Sequence, residues 1–402
     1  MFKINFSYSL LIVLTLLIIG CSKNEKPVKK WYKGNLHAHS YWSDGQEFPE
    51  MVMDWYKSNG YNFTVLSDHN TLAEREKWIT LSERGYLQKG FENYLNKYGE
   101  EWVDFVTDSV GKIKVKLKTY NEYRSLYEKD PNFLIIQSEE ISAKFGNKPI
   151  HINATNIQEK IDPLDGESTV EVVQNNINAI LEQRKESKVP IMPHINHPNY
   201  KYSISASDFV QLKNVRFFEV YNGHPLDNGS GDSLHLSTEQ MWDVINISYF
   251  LNNQKPIYAI AADDSHQYNR FSKKYSNPGR GWVMVNTELL SAESIINAME
   301  KGNFYATTGI VLKDFSFDSN ILKIEVEQEE NTNYEIEFIG VNRHDRESKL
   351  VKKVNGNKAE FKLTNHHMFI RLRVISNRTN ENFFNEREFE KAWTQPVFYQ
   401  KE

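Results

Sequence analysis

The sequence predicts an α/β barrel followed by a small antiparallel β-sandwich. Short apolar runs bounded by polar turn residues recur about seven times between residues 31 and 309, which is typical of buried parallel strands. Helical stretches separate several of these runs, for example 47–58, 170–188 and 237–251. Beyond residue 309 the apolar residues instead alternate with period two, as they do in antiparallel strands. Strand–helix alternation followed by hairpins indicates a barrel domain and then a β domain.

The first 21 residues are predicted to be a targeting segment. Lys3 precedes the apolar run 10–19, which is short for a membrane span, and the run ends in Ile18-Ile19-Gly20-Cys21. This ending resembles a bacterial lipobox, so we expect cleavage before Cys21, lipidation of Cys21, and export as a lipid-anchored protein, with the outer membrane favoured. The alternatives are an ordinary signal peptide and a short anchor helix. Residues 22–30 are polar and rich in lysine, and are predicted to be a tether.

Composition restricts the classes of function. The 402-residue chain is long enough for one large and one small domain, and its net charge of −5 comes without a basic block. A protein that neutralises nucleic-acid phosphates is usually basic, so we expect a small-molecule substrate and no nucleic acid. Cys21 is the single cysteine, which excludes a thiolate zinc site and an intramolecular disulfide. The oligomeric state is left open.

Metal-ligating side chains follow the predicted strands one after another. They are His37-Ala38-His39, Ser43-Asp44-Gly45, Ser67-Asp68-His69, Glu139-Glu140, His151, His194 to His197, and Asp263-Asp264-Ser265-His266. Imidazole and carboxylate groups are ligands that Zn, Mn and Fe take in proteins. Because the carboxyl ends of barrel strands meet at one face, the sequence predicts a multinuclear metal site there.

Two segments lie outside this pattern. Residues 72–130 are charged and aromatic with helical spacing, which predicts a helical insertion that either covers the barrel mouth or acts as a substrate lid. Residues 310–402 alternate, for example at 322–327 and 334–339, and Asn355-Gly356 is a hairpin turn signal. We expect this second segment to be a β-sandwich domain without metal ligands.

The ordered motifs resemble those of the PHP family of metal-dependent phosphoesterases, named for polymerase and histidinol phosphatase. The matching stretches are LHAHSYWSDG (36–45), LSDHN (66–70), SEEIS (138–142), IHINATN (150–156), HINHP (194–198) and DDSH (263–266). GRGWVMV (279–285), GNFYATTG (302–309) and AWTQPVFY (392–399) are similar to the carbaryl-hydrolase-like subgroup, which includes esterase and amidase chemistry. The resemblance covers residues 31 to about 310 and implies a distorted (β/α)7 barrel that holds two or three divalent ions of Zn, Mn or Fe.

The resemblance also implies a role for each motif residue. Glu140 would bridge two ions, and the family's histidine before proline selects His197 over His194. His194 would then face the substrate or lie behind the ligands, and we assign it as the proton donor to the leaving oxygen, with Asp264 holding the proton of the nucleophile. The implied ligands are His37, His39, Asp44, His69, Glu140, His151, His197, Asp264 and His266.

Three further residues are candidates for binding the substrate. They are Asn70, Asn222 and Arg280, of which the arginine is suited to a substrate anion. A purely structural role is the alternative for each.

The predicted function is a metal-dependent hydrolase. We expect it to act on a phosphomonoester or phosphodiester through a hydroxide that the ions activate, and the substrate to be a small anion. One alternative is a carboxylester, carbamate or amide hydrolase that uses the same site. The other is a non-catalytic surface lipoprotein that binds metal or glycans.

Overall fold

The computed structural model describes residues 29–380, 382–383 and 388–400. The predicted signal peptide and Cys21 lie outside the described residues, as does most of the predicted tether. The helices are α1 (Pro49–Ser58), α2 (Gly85–Tyr98), α3 (Tyr120–Ser125), α4 (Thr169–Ser187), α5 (Ala206–Phe209), α6 (Thr238–Leu251) and α7 (Ala292–Glu300), with a 3-10 turn at Tyr200–Tyr202. The strands are β1 (Lys30–Asn35), β2 (Phe63–Leu66), β3 (Trp78–Thr80), β4 (Phe105–Thr107), β5 (Ile113–Lys116), β6 (Leu134–Phe145), β7 (Lys148–Thr155), β8 (Met192–Ile195), β9 (Phe217–Asn222), β10 (Tyr258–Ala262), β11 (Trp282–Thr287), β12 (Phe304–Thr307), β13 (Leu312–Asp318), β14 (Ile321–Val326), β15 (Tyr334–Asn342), β16 (Ser348–Asn355), β17 (Lys358–Lys362), β18 (His367–Thr379), β19 (Phe389–Thr394) and β20 (Val397–Phe398).

One large sheet organises the molecule, in the order β10-β9-β8-β7-β6-β2-β1-β11-β12-β19-β18-β15-β16, with β20 paired to β18. In its first half, β1, β2 and β6 are mutually parallel, as are β8, β9 and β10. Only β7 within this half runs against its neighbours β6 and β8. The predicted mixed α/β class is confirmed, although fewer helices separate the strands than the sequence pattern suggests.

The two edges of the seven-strand half meet at the carboxyl ends of β1 and β10. A parallel bridge joins Ala38 to Ser265. Asp264 N donates to His37 O (3.0 Å) and His39 N donates to Ser265 O (2.9 Å). Apolar side chains from five of the strands pack into a single cluster that includes Phe63, Ile136, Met192, Phe217 and Ile260. The segment therefore curves around an apolar interior and closes next to the metal-ligating motifs.

The helices cover the outside of this curved segment. The side chain of Ser168 caps α4 by accepting a hydrogen bond from Glu171 N (3.1 Å). Buried residues of α4, among them Val173 and Ile177, share a core cluster with Ile152 of β7 and Ile195 of β8. Among the described residues, we find no helix with the length and apolarity that a membrane crossing requires.

The insertion at 72–130 contains strands as well as helices. α2 and α3 agree with the helical prediction, but β3, β5 and β4 also form a small antiparallel sheet. Two of these strands have only three residues each and are largely exposed, so they carry no alternation that a sequence pattern can detect. Phe48 and Tyr94 stack with ring centroids 4.2 Å apart, which fixes the insertion to the start of α1.

The C-terminal segment forms two antiparallel sheets around a shared core. Strands β13, β14 and β17 make the smaller sheet, and Leu322 in it packs in one cluster with Ile336 and Leu372 of the large sheet. The prediction treats this segment as separate from residue 310 onward. Strand β12 pairs with both β11 and β19, so one sheet runs continuously from the first segment into this one.

Candidate metal centre

The predicted ligands converge at the edge of the curved sheet where β1, β2, β8 and β10 end. His37 and His39 follow β1, His69 follows β2, and Glu140 lies within β6 at the point where it bridges to His69. His151 is on β7, His197 follows β8, and Asp264 and His266 follow β10. Asp44, on the loop before α1, completes the set. All nine residues that the resemblance implies as ligands are therefore brought to one place.

Glu140 lies at the centre of this arrangement. Its Oε1 is 3.0 Å from His151 Nδ1, 3.4 Å from His37 Nε2 and 3.5 Å from His197 Nε2. Its Oε2 is 2.8 Å from His69 Nδ1 and 3.4 Å from His39 Nε2. One carboxylate thus faces five imidazoles, as expected of a group that bridges two ions. Glu139, by contrast, points away from the site and accepts a hydrogen bond from Ile161 N (3.0 Å).

His37 and His39 are fully buried and present nitrogen atoms to each other. Their Nε2 atoms are 3.1 Å apart, and Asp264 Oδ1 lies 3.3 Å from the first and 3.2 Å from the second. His37 Nδ1 donates to Glu219 Oε1 (2.7 Å), which leaves the lone pair of Nε2 facing the site. Lone pairs and carboxylate oxygens that converge in a buried space suit a cation between them, so the donor set fits a metal ion.

A second group of ligands lies nearer the surface. Asp44, His39, His69 and His266 have potential ligand atoms that all lie within 4.8 Å of one another, as do those of His69, Glu140 and His151. His266 Nδ1 donates to the backbone oxygen of Asp264 (2.9 Å), which turns its Nε2 towards Asp44, 3.3 Å away. Glu140 and His69 therefore each belong to more than one potential ion site.

Hydrogen bonds hold the loops that carry the candidate ligands, and two of these ligands have a strained backbone. Asp68 accepts hydrogen bonds from Ser40 N (2.9 Å) and Ser40 Oγ (2.8 Å) and also one from Ser43 Oγ, so it fixes the loop that carries Asp44. Asp264 has a φ of 49° and His197 a φ of 23°, values that non-glycine residues seldom adopt. Strain of this kind is typical of side chains that a fold holds for function.

The protonation states fit a site built for cations. Burial would raise the pKa of Glu140, but the neighbouring imidazoles of His69, His151 and His37 hold it well below its usual value. Burial, aided by the nearby His266, lowers the pKa of His39 to about 3. Burial also opposes protonation of His37, yet the carboxylates of Asp264, Glu219 and Glu140 raise its pKa well above the usual value. Without ions, a proton on His37 therefore balances part of the carboxylate charge, whereas His39 stays neutral.

A cavity of about 120 Å³ opens onto these ligands. Besides Asp44, His69, Glu140, His151, His197, Asp264 and His266, it is lined by Tyr200, His224 and Asp227. Leu226 N donates to His224 Nδ1 (3.2 Å), and burial lowers the pKa of His224 to about 4. The neutral ring therefore carries its proton on Nε2. Neither His224 nor Asp227 belongs to one of the sequence motifs, so no local pattern marks them as residues of the site.

The structure places His194 behind the ligands. It is fully buried, is not among the residues that line the cavity, and its Nε2 lies 3.5 Å from Glu219 Oε1. The sequence predicts that His194 protonates the leaving oxygen, but its ring is fully buried beside Glu219 and does not reach the cavity above the candidate ligands. Glu219 follows an apolar run and so is expected to face the site or to be a structural polar end; the structure shows that it orients His37 and also accepts a hydrogen bond from His197 N (2.8 Å).

The three residues expected to bind substrate are engaged elsewhere. Arg280 is fully buried, and its guanidinium donates to the backbone oxygens of Gly223 (2.8 Å) and Asn382 (2.7 Å), so it packs loops together. Asn70 Nδ2 donates to Ser142 O (3.2 Å) and its Oδ1 accepts from Ser142 N (2.8 Å), which ties the end of β2 to β6.

Asn222 lies behind the ligands and supports two of their carboxylates. Its Nδ2 donates to Glu219 Oε2 (2.8 Å) and to Asp264 Oδ2 (3.2 Å). It lines a second cavity that is described below.

Comparison with known proteins finds remote structural likenesses only. No family of known sequences and no curated protein matches the chain. A two-domain protein from Bacteroides vulgatus that contains a predicted PHP-like metal-dependent phosphoesterase is similar at 15% identity, over 91% of this chain and 95% of that one, with a TM-score of 0.43. An amidohydrolase from Chromobacterium violaceum with bound sulfate and no metal is similar at 12% identity, over 67% of this chain and 96% of that one, with a TM-score of 0.30. TM-scores this low do not establish a shared fold, so the function has to be argued from the site.

Proposed function

We propose that this protein is a metal-dependent hydrolase of the PHP type, and that it cleaves phosphate esters at the centre around Glu140. The observation that carries the proposal is the meeting of five imidazoles on one buried carboxylate, at 2.8 to 3.5 Å. The carboxylate and the five imidazoles all belong to the motifs that resemble those of the PHP family. We also propose that the first seven strands of the large sheet form a distorted barrel. The curvature of this part of the sheet and the bridge between Ala38 and Ser265 support it.

The donor set suits two or three divalent ions. His37, His39, Glu140 and Asp264 would hold one, and Glu140, His151 and His197 a second. Asp44, His69 and His266 would hold a third. Bound in this way, divalent ions supply a water molecule that is reactive near neutral pH and a positive charge that neutralises a phosphate.

The chain's own residues prepare the site for this chemistry. Glu219 keeps the proton of His37 on Nδ1, and the backbone oxygen of Asp264 does the same for His266. His224 faces the cavity with a neutral ring whose Nε2 carries the proton. That N–H is placed to donate a hydrogen bond to an ester oxygen of the substrate. Burial of His37, His39 and Glu140 shields the inner part of the site from bulk water and strengthens the contacts there.

A substrate panel tests the proposal. Phosphate release is measured with phosphomonoesters and phosphodiesters, and carboxylesters and amides are run beside them. We expect phosphate release that a chelator abolishes and that added Zn²⁺, Mn²⁺ or Fe²⁺ restores. His39→Ala should remove most of this activity, whereas the matched change of an exposed C-terminal imidazole, His344→Ala, should leave activity and metal content unchanged.

The other outcomes separate the alternatives. Hydrolysis of carboxylesters or amides without phosphate release would keep the metal centre but overturn the phosphoesterase assignment. Metal binding without hydrolysis of any substrate would favour a non-catalytic binding protein.

A further inference from the structure

A second cavity adjoins the metal centre. It has a volume of about 250 Å³ and lies where the loop after β9 and the start of α6 face β19. Tyr221, Thr238 and Trp393 are among its walls. Asp227 lines both this cavity and the one above the metal ligands. Trp393 comes from the AWTQPVFY stretch, to which the metal centre gives no role. A ligand that extends away from the metal ligands past Asp227 therefore enters this space.

Polar atoms without partners line this second cavity. Tyr221 Oη and Asp227 Oδ1 are buried and have no hydrogen-bond partner within the described ranges, whereas the Trp393 indole lies within hydrogen-bonding reach of the Glu239 carboxylate. Tyr221 is only 7% exposed and Trp393 only 2%. Native proteins leave few buried polar atoms unpaired, and each such atom calls for an explanation. Two beside one cavity indicate a ligand that donates to a carboxylate and accepts from a phenol.

The remaining lining defines the chemistry of that ligand. Two of the carboxylates that line the cavity are already paired with cations: Glu239 with Arg371 (3.5 Å) and Arg373 (3.1 Å), and Glu388 with Lys391 (3.7 Å). Among the described residues that line it, the cavity therefore has no unpaired positive charge for a phosphate or another anion. The rings of Tyr221 and Trp393 lie 6.1 Å apart at 30° and give it an apolar wall. A sugar ring or a cyclic polyol matches all of these properties, because its hydroxyls both donate and accept while its C–H faces pack on aromatic rings.

We propose that this cavity binds a neutral polyhydroxylated group, such as a sugar or inositol ring, of the substrate. That the ring belongs to a phosphate ester rests on the proposed phosphoesterase function. The phosphate of such a substrate would lie at the ligands around Glu140, and its ring on the far side of Asp227. The substrate class is then the phosphate ester of a sugar or cyclic polyol.

Direct binding tests the cavity without any turnover. Full-length protein is titrated with neutral monosaccharides and with myo-inositol, and the heat of binding is measured by calorimetry. We expect at least one of them to bind, and Tyr221→Phe to weaken that binding about tenfold, which is the size of one lost hydrogen bond. Asp227→Asn should act in the same direction. The matched control is Tyr61→Phe, because Tyr61 Oη is also buried and unpaired but lies in a different cluster; it should leave binding unchanged. Absence of binding by every ring, or equal loss in the Tyr61 control, overturns the proposal.

Turnover separates this inference from the proposed function. For the wild type, kcat/KM should be higher for a sugar phosphate than for phenyl phosphate, and Tyr221→Phe should reduce this ratio about tenfold. Sugar binding with no hydrolysis of any phosphate ester supports the cavity and overturns the phosphoesterase. Hydrolysis with no preference for ring-bearing esters and no sugar binding supports the phosphoesterase and overturns the cavity.

Discussion

Replacing Glu140 by glutamine changes the metal centre most, because this carboxylate belongs to two of the potential ion sites. The substitution keeps the shape of the side chain and one oxygen, and Asn196 Nδ2, which donates to Glu140 Oε1 (2.8 Å), keeps its acceptor. What is lost is a buried negative charge that faces five imidazoles at 2.8 to 3.5 Å. We therefore expect the fold to persist while metal binding is weakened and about one ion is lost.

The size of the effect follows from the burial of the group. Removing one partner of a buried charge pair costs about 3–5 kcal/mol. Since ~1.4 kcal/mol corresponds to a tenfold change, metal affinity should fall on the order of a hundredfold to a few thousandfold. Stoichiometry should fall by about one ion, and most turnover should be lost. Glu139→Gln is the matched control, because that carboxyl accepts from Ile161 N and faces away from the ligands.

The assay compares both variants with the wild type in metal content by mass spectrometry and in phosphate release, with circular dichroism as a check of the fold. Glu139→Gln should be nearly silent in both measurements. If Glu139→Gln abolishes activity and Glu140→Gln does not, the central role of Glu140 is refuted. The register of β6, in which Glu140 and not Glu139 faces the site, is then wrong as well.

Three other predictions concern separate parts of the chain. Glu219→Gln should weaken metal binding by about 10- to 100-fold through the orientation of His37, as measured by competition with a chelator; unchanged affinity would contradict that role. Burial raises the pKa of Glu47 to about 7, above its usual value, so the folded state holds this proton more tightly. The free energy of unfolding should then fall by about 3 kcal/mol as pH rises from about 4.5 to about 7. Glu47→Gln should flatten that slope in urea unfolding, and an identical slope would count against the burial effect. Cys21→Ala should release the protein from the membrane fraction or leave an unprocessed precursor, and a cleaved product that stays in the membrane would refute lipidation of Cys21.

The sequence predicts most of the candidate metal ligands because they follow apolar runs in a fixed order. His37, His39, Glu140 and Asp264 all lie at the ends or within buried strands, where the side chains of neighbouring strands must meet. Glu219 was missed as an orienting group since a single glutamate after an apolar run has no partner nearby in the sequence. Its contact with His37 spans 182 positions, and only the closed sheet brings the two together.

The placement of Arg280 and of the C-terminal segment depends on long-range pairing. A loop arginine looks suited to an anion, but its guanidinium meets carbonyls of Gly223 and Asn382 that are distant in sequence. In the same way, alternation predicts the β-strands after residue 310, yet not that β19 pairs with β12. Local patterns specify strands, whereas the partner of an edge strand is decided by the packing of the whole sheet.

Anomalous diffraction from crystals grown with Mn²⁺ or Zn²⁺ tests the central claim most directly. The account predicts two or three peaks, with at least two of them at coordinating distance, ~2.0–2.2 Å for oxygen and nitrogen ligands of zinc, from Glu140. One of these two should also contact His37 and His39. Peaks confined to the protein surface, or none within reach of Glu140 at millimolar metal, would contradict it.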